Sequence, residues 1–191
     1  MPNSVYNLLI SAETLKLTTT ISQNVDDNLI HPVIMVAQDQ YIQPILGTDL
    51  FKYLTDNVST GFITGDYKVL LNDYIQKPLC FWSLMTLYPV LKYRAVNHSV
   101  VSMNNEQGQT ASYDELKPLM SSAEDTAQFY TERLIDYLRK NASSFSQYQT
   151  NTDNQLGATT RNYYSGLNMD RNTMPNERLK NILVMKGYNI C

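Results

Sequence analysis

At 191 residues, with 43% apolar and 17% charged side chains, the chain is long enough for one domain with a real core and too apolar for a disordered polyelectrolyte. Seven glycines are few for a loop-rich β-protein or a glycine-cradled nucleotide site, and a net charge of −3 supplies no strong cationic field for coating DNA. Asn, Thr, Gln, Ser and 14 tyrosines fill the composition instead, an uncharged polar and aromatic mix suited to contact with other protein.

Residues 1–25 read as a lead segment: extended Leu8-Leu9-Ile10, a helical turn opened by Ser11 as N-cap, then extended chain through the Thr18–Ile21 run. The start carries no basic residue before Lys16 and does not read as a signal peptide, which together with only two cysteines, Cys80 and Cys191, points to synthesis in a reducing cytoplasm. Asp26 or Asn28 can cap the next element, in which Ile30, Ile34, Ala37 and Tyr41 mark one helical face. Pro32 belongs in a first turn, which sets the regular helix start near Leu29; Pro44 and a left-handed Gly47 end it. Thr48 and Asp49 restart a short helix carrying Leu50 and Leu54, followed by a turn-rich connection from Asn57 to Gly65.

Asp66 is the expected cap of a third helix with Leu70, Leu71, Tyr74 and Ile75 apolar, kinked or restarted at Pro78. The next helix holds Phe81, Trp82, Met85, Tyr88 and Leu91 on nearly every side, the pattern of a central bundle helix, and its apolar run from Leu79 to Leu91 is too short to span a bilayer. Residues 98–112 read as a loop or small hairpin. The clearest signal follows: Leu116, Met120, Ala123, Ala127, Tyr130, Leu134 and Tyr137 alternate by four and three, a core seam on a helix from about Tyr113 to Asn141. After Phe145 the sequence is dominated by Ser, Gln, Asn, Thr and Tyr, too poor in aliphatic side chains to order itself. A short helix over 176–187 then offers Leu179, Ile182 and Leu183. The expected architecture is all-α: a bundle over 26–145 with one long amphipathic helix, then an extended arm over 146–191 ending in that short helix. Tyr148, Tyr163, Tyr164, Leu179, Ile182 and Leu183 are the candidate contact residues, as bulky side chains among amides.

No catalytic constellation emerges. His31 beside Pro32 and His98 in a loop have no GxSxG elbow or cysteine partner, no phosphate-binding glycine motif is present, and Asp39 and Asp49 have no histidine at ligand spacing. The expectation is therefore no enzyme, no metal and no cofactor.

The stretch Val25-Asp26-Asp27-Asn28-Leu29-Ile30, with Ile34, Ala37, Tyr41-Ile42 and Pro44-Ile45-Leu46-Gly47, resembles the opening helix of phage head–tail connector (adaptor) proteins. The likeness continues through Asp66–Leu71, Tyr74-Ile75, Trp82, Leu91–Arg94 and Ala127–Leu138, covers about two thirds of the chain and fades at Phe145. It is greatest toward neck-ring proteins of crAss-like and related Bacteroidetes phages. This resemblance implies a helical bundle that assembles into a dodecameric ring below the portal, in a virion neck put together in the host cytoplasm. Its partners are then other copies of itself, the portal, an adjacent neck or tail protein, and DNA that passes through the channel at ejection without sequence-specific binding. A rival reading is a helical nucleic-acid-binding packaging or regulatory protein using Lys92, Arg94, Arg139, Lys140, Arg161, Arg171, Arg178, Lys180 and Lys186; these cations are dispersed along an acidic chain.

Overall fold

Helices form wherever a cap and a 3.6-residue apolar period coincide. The computed structural model describes residues 7–96, 99–102, 113–148, 150, 152 and 156–158. Ser11 opens α1 (Ala12–Thr18), its hydroxyl accepting from the Thr14 amide at 3.0 Å. Asp26 opens α2 (Asp27–Ala37), its carboxylate accepting from the Asn28 amide at 3.0 Å. The helix thus starts two residues before the expected Leu29, and Pro32 lies in its second turn rather than its first. The proline is tolerated because it and Asn28, whose carbonyl it leaves without an amide partner, both lie on the exposed side where water can substitute.

Pro44 departs from expectation in the same way. It does not end the helix: α2 widens into a π-helical turn over Gln38–Ile42 and continues as α3 (Gln43–Leu46). At Pro78 the expected restart is seen: α5 (Gly65–Val69) runs through a π turn over Leu70–Ile75 into α6 (Gln76–Lys92), which carries Pro78 in its first turn. A π turn reaches one residue further for its hydrogen bonds, which relieves the clash and the missing donor that proline brings. Between them, α4 (Thr48–Thr60) runs thirteen residues, longer than expected, and ends at Gly61 in the left-handed conformation (φ 73°). Gly47 also has positive φ (74°), but with ψ 161° it is an extended corner rather than the left-handed cap expected. Thr64, not Asp66, precedes α5; Asp66 lies in its first turn.

Helix α6 is the axis of an all-α bundle. It packs against α1, α2, both π turns and, most extensively, α7 (Tyr113–Lys140), burying Leu79, Cys80, Trp82, Ser83, Leu84 and Leu87. Trp82 is locked from two sides. Its indole N–H donates to Thr131 Oγ1 at 3.0 Å, and its ring stacks on Tyr41 with centroids 4.0 Å apart. After α6 the chain forms an antiparallel hairpin, β1 (Tyr93–Val96) with β2 (Ser99–Ser102), in register Tyr93↔Ser102 to Val96↔Ser99.

On α7, Leu116, Ala123, Ala127 and Leu134 are buried, and Met120, Tyr130 and Tyr137 half-buried. Thr131, Ile135 and Leu138 are buried as well, although they lie outside the seven-residue seam. A straight helix drifts about 20° per heptad from a 3.5-residue repeat, so after three heptads the core line passes from Tyr130 and Tyr137 to Thr131 and Leu138. The helix therefore packs as an ordinary bundle helix.

The lead segment belongs to the same core. Leu9, Ile10, Ala12 and Leu15 are buried in it, and the Gln38 carboxamide accepts from the Leu9 amide at 3.2 Å and reaches the Asn7 carbonyl. Gln38, at the start of the π turn, thus satisfies backbone groups of Asn7 and Leu9. Cys80 is buried too, and burial pushes its thiol up to about 11. At neutral pH its reactive thiolate is then on the order of one in ten thousand. In a Cys191→Ser chain, iodoacetamide should leave Cys80 unlabelled while the protein is folded and label it in urea; rapid native labelling would place Cys80 at the surface.

Candidate interaction surface

The region after Phe145 was expected to stand away from the bundle, yet its first part returns to it. Phe145 is fully buried, against Tyr67 at a centroid distance of 5.2 Å and Tyr137 at 6.2 Å. Tyr67 donates its phenolic hydrogen to Gln147 Oε1 at 2.6 Å, and Tyr148 packs on the core. Of the candidate contact residues, Tyr148 is thus half spent inside its own subunit, and burial raises its hydroxyl above the ordinary range while nearby Arg139 opposes that. Its hydroxyl oxygen is buried and has no hydrogen-bond partner among the described residues. Tyr163, Tyr164, Leu179, Ile182 and Leu183, with the helix expected over 176–187, lie outside the described residues, as do 103–112.

Further on, the chain meets the start of α4. Thr152 donates from both its amide (3.1 Å) and its hydroxyl (2.8 Å) to Asp49 Oδ2. The Leu156 carbonyl accepts from the Thr48 amide at 2.9 Å, and Ala158 lies against Gly47. Hydrogen bonding by Thr150 and Thr152 holds the Asp49 carboxyl below the ordinary range, assisted by the charge of Lys52. The sign follows from that depression: the stabilisation is present above the ordinary carboxylate pKa and is lost as pH falls through the lowered one. Asp49, Gly47 and Thr152 carry no motif that marks them as contact residues in the sequence. The available signal was Gly47 directly before a helix, an N-terminus with no side chain to cap it.

The outer face of α7 carries Phe129, 57% exposed, with the Arg133 guanidinium 5.9 Å from its ring centroid. Beside it, Tyr74 stacks on Tyr137 at 3.8 Å, and these rings with Arg133, Asp136 and Lys140 line a shallow pocket of about 240 Å³. The charge there is mixed. Burial raises the Tyr137 hydroxyl, and Asp66 and Asp73 add to the effect. Arg133 and Lys140 therefore share their surroundings with three carboxylates, a poor start for the cationic footprint that the nucleic-acid reading needs. Among the described residues no cluster of three or more His, Cys, Asp or Glu side chains is placed to hold a metal ion, and no helix is long and apolar enough to cross a membrane.

Over residues 42–157 the sequence matches the profile of a family described as a family of unknown function (DUF6712). The match takes in more than half of the chain, from the first π turn to the contact of Leu156 with Thr48, and the protein belongs to that family. No curated protein and no solved structure matches it.

Proposed function

We propose that this member of the DUF6712 family is a structural virion protein: a head–tail connector subunit that forms a ring, of twelve copies, between the portal and the tail and continues the DNA channel. The observation that supports this reading is where its resembling residues fall. Asp26 caps α2; Ile30, Ile34, Ala37 and Leu46 fill the core behind it; Gly47 makes the corner into α4; Trp82 sits at the bundle's centre; Ala127, Leu134 and Leu138 face α6 from α7. They are the frame of one helical bundle, followed in the sequence by a polar arm after Tyr148. In this reading the bundle supplies the ring wall and the arm engages the portal or the next neck protein.

Its partners are then copies of itself, the portal and an adjacent neck or tail protein, while DNA passes without sequence-specific contact. Purified protein, alone and mixed with portal, should give twelvefold rings in negative-stain micrographs and a matching mass in mass photometry. A monomer under both conditions at micromolar concentration would overturn the reading. Tight, sequence-selective duplex binding at physiological salt would replace it with the nucleic-acid one.

A further inference from the structure

The arm is held in two different ways. Its root is fastened by apolar burial, with Phe145 inaccessible and Tyr148 packed on the core. Past the root the hold is polar and lies at the surface. Thr150, Thr152, Leu156 and Gly157 are all exposed, and the chain is kept in place by the two bonds of Thr152 to Asp49 and the bond of Thr48 to the Leu156 carbonyl.

Those bonds supply what α4 lacks. Its N-cap is Gly47, which has no side chain to accept from the helix's first free amides, and the Thr48 amide finds its acceptor in the arm. Gly47 also makes the approach possible, since a Cβ there would lie 3.0 Å from the Ala158 nitrogen. The fit between strap and helix start is thus built from both sides.

We propose that Thr150, Thr152 and Leu156–Ala158 hold a releasable strap, which caps α4 in the free subunit and opens while Phe145 and Tyr148 stay in the core. Opening exchanges the hydrogen bonds to Asp49 and Thr48 for hydrogen bonds to water and uncovers little apolar surface. It is therefore far easier than unfolding, and almost independent of denaturant. On the connector reading above, which this inference deepens, the open state offers the arm to a partner and bares the first turn of α4 that the strap had covered.

The test is native-state hydrogen exchange on the full chain, without portal and below ring-forming concentration. The Thr48 and Thr152 amides should exchange at least about 100-fold faster than those of Leu84 and Leu134, at rates that stay flat from zero to about 2 M urea while the core rates climb. Asp49→Ala should speed Thr48 and Thr152 by roughly tenfold or more and leave Leu84 and Leu134 unchanged. If Thr48 follows the denaturant dependence of the core, its contact with Leu156 is part of the cooperative fold and no strap exists. If Asp49→Ala alters neither amide, nothing is held at that site. Should the variant misfold, the urea series on the natural chain decides alone. Because no ring or portal enters the measurement, a failed strap leaves the connector reading standing, and a failed ring leaves the strap standing.

Discussion

Leu134→Asp should abolish the cooperative thermal transition and most of the helical circular dichroism. Leu134 is fully buried on the face of α7 that packs along α6, and no described ion pair or cationic group of the core is there to receive a carboxylate. Burying an unpaired charge, or forcing the helix apart to hydrate it, costs several kcal/mol, comparable to the roughly 5–15 kcal/mol that holds a domain together. Ala127→Leu probes the same face gently: Ala127 is also fully buried, and the added carbons should overpack it by about 1–3 kcal/mol. At roughly 2–4 °C per kcal/mol for a chain of this size, the melt should drop by several degrees and stay cooperative. Phe129→Ala on the opposite, exposed face should change stability by no more than about 0.5 kcal/mol. Melts at the parental temperature for all three would mean that α7 does not bury this face.

The helices that could be read from sequence were those with a local cause. Ser11 and Asp26 act through amides two or three residues away, and α7 has 28 residues over which its period repeats, so these elements were legible from short windows. The π turns before Pro44 and Pro78 were not: local propensity makes Pro44 a stop and Pro78 a kink or restart, whereas packing of Ile42, Ile45, Leu70 and Ile75 into the core outweighs one lost hydrogen bond. The membership of Leu9 and Leu15 in the core was hidden for a similar reason. The Leu9 amide is satisfied by Gln38, 29 residues away, and a polar residue that satisfies a distant backbone leaves no period in the sequence. The candidate surface was the least legible part. Composition marks the chain after Phe145 as unable to fold alone, but it cannot tell a segment that waits for another protein from one that lies on its own bundle. The pairing of Asp49 with Thr152, 103 positions apart, is of the second kind.

Where the arm is cut should therefore decide what is lost. A chain ending after Tyr148 keeps every buried part of the root: Phe145, the Tyr148 ring and the Tyr67–Gln147 hydrogen bond. It should keep its helical signal and a cooperative melt, lowered only by the loss of the exposed strap bonds to α4. Ending after Phe145 also removes Gln147 and Tyr148, and the half-buried Tyr148 ring makes that loss worth on the order of 1–2 kcal/mol. Ending after Asn141 removes Phe145 from beside Tyr67 and Tyr137, which at about 3–5 kcal/mol for a buried aromatic should bring the melt near collapse. Function should divide elsewhere along the chain. The form ending after Tyr148 folds, but on the connector reading it should no longer attach to the portal or to the adjacent neck protein, by pull-down, and should form no rings by mass photometry. If it assembles and attaches as well as the full chain, the contacts lie on the bundle, and the exposed Phe129 and Arg133 face of α7 becomes the first surface to mutate. If it fails to fold although Phe145 and Tyr148 are present, residues beyond 148 carry core packing, and the arm is part of the domain rather than a device attached to it.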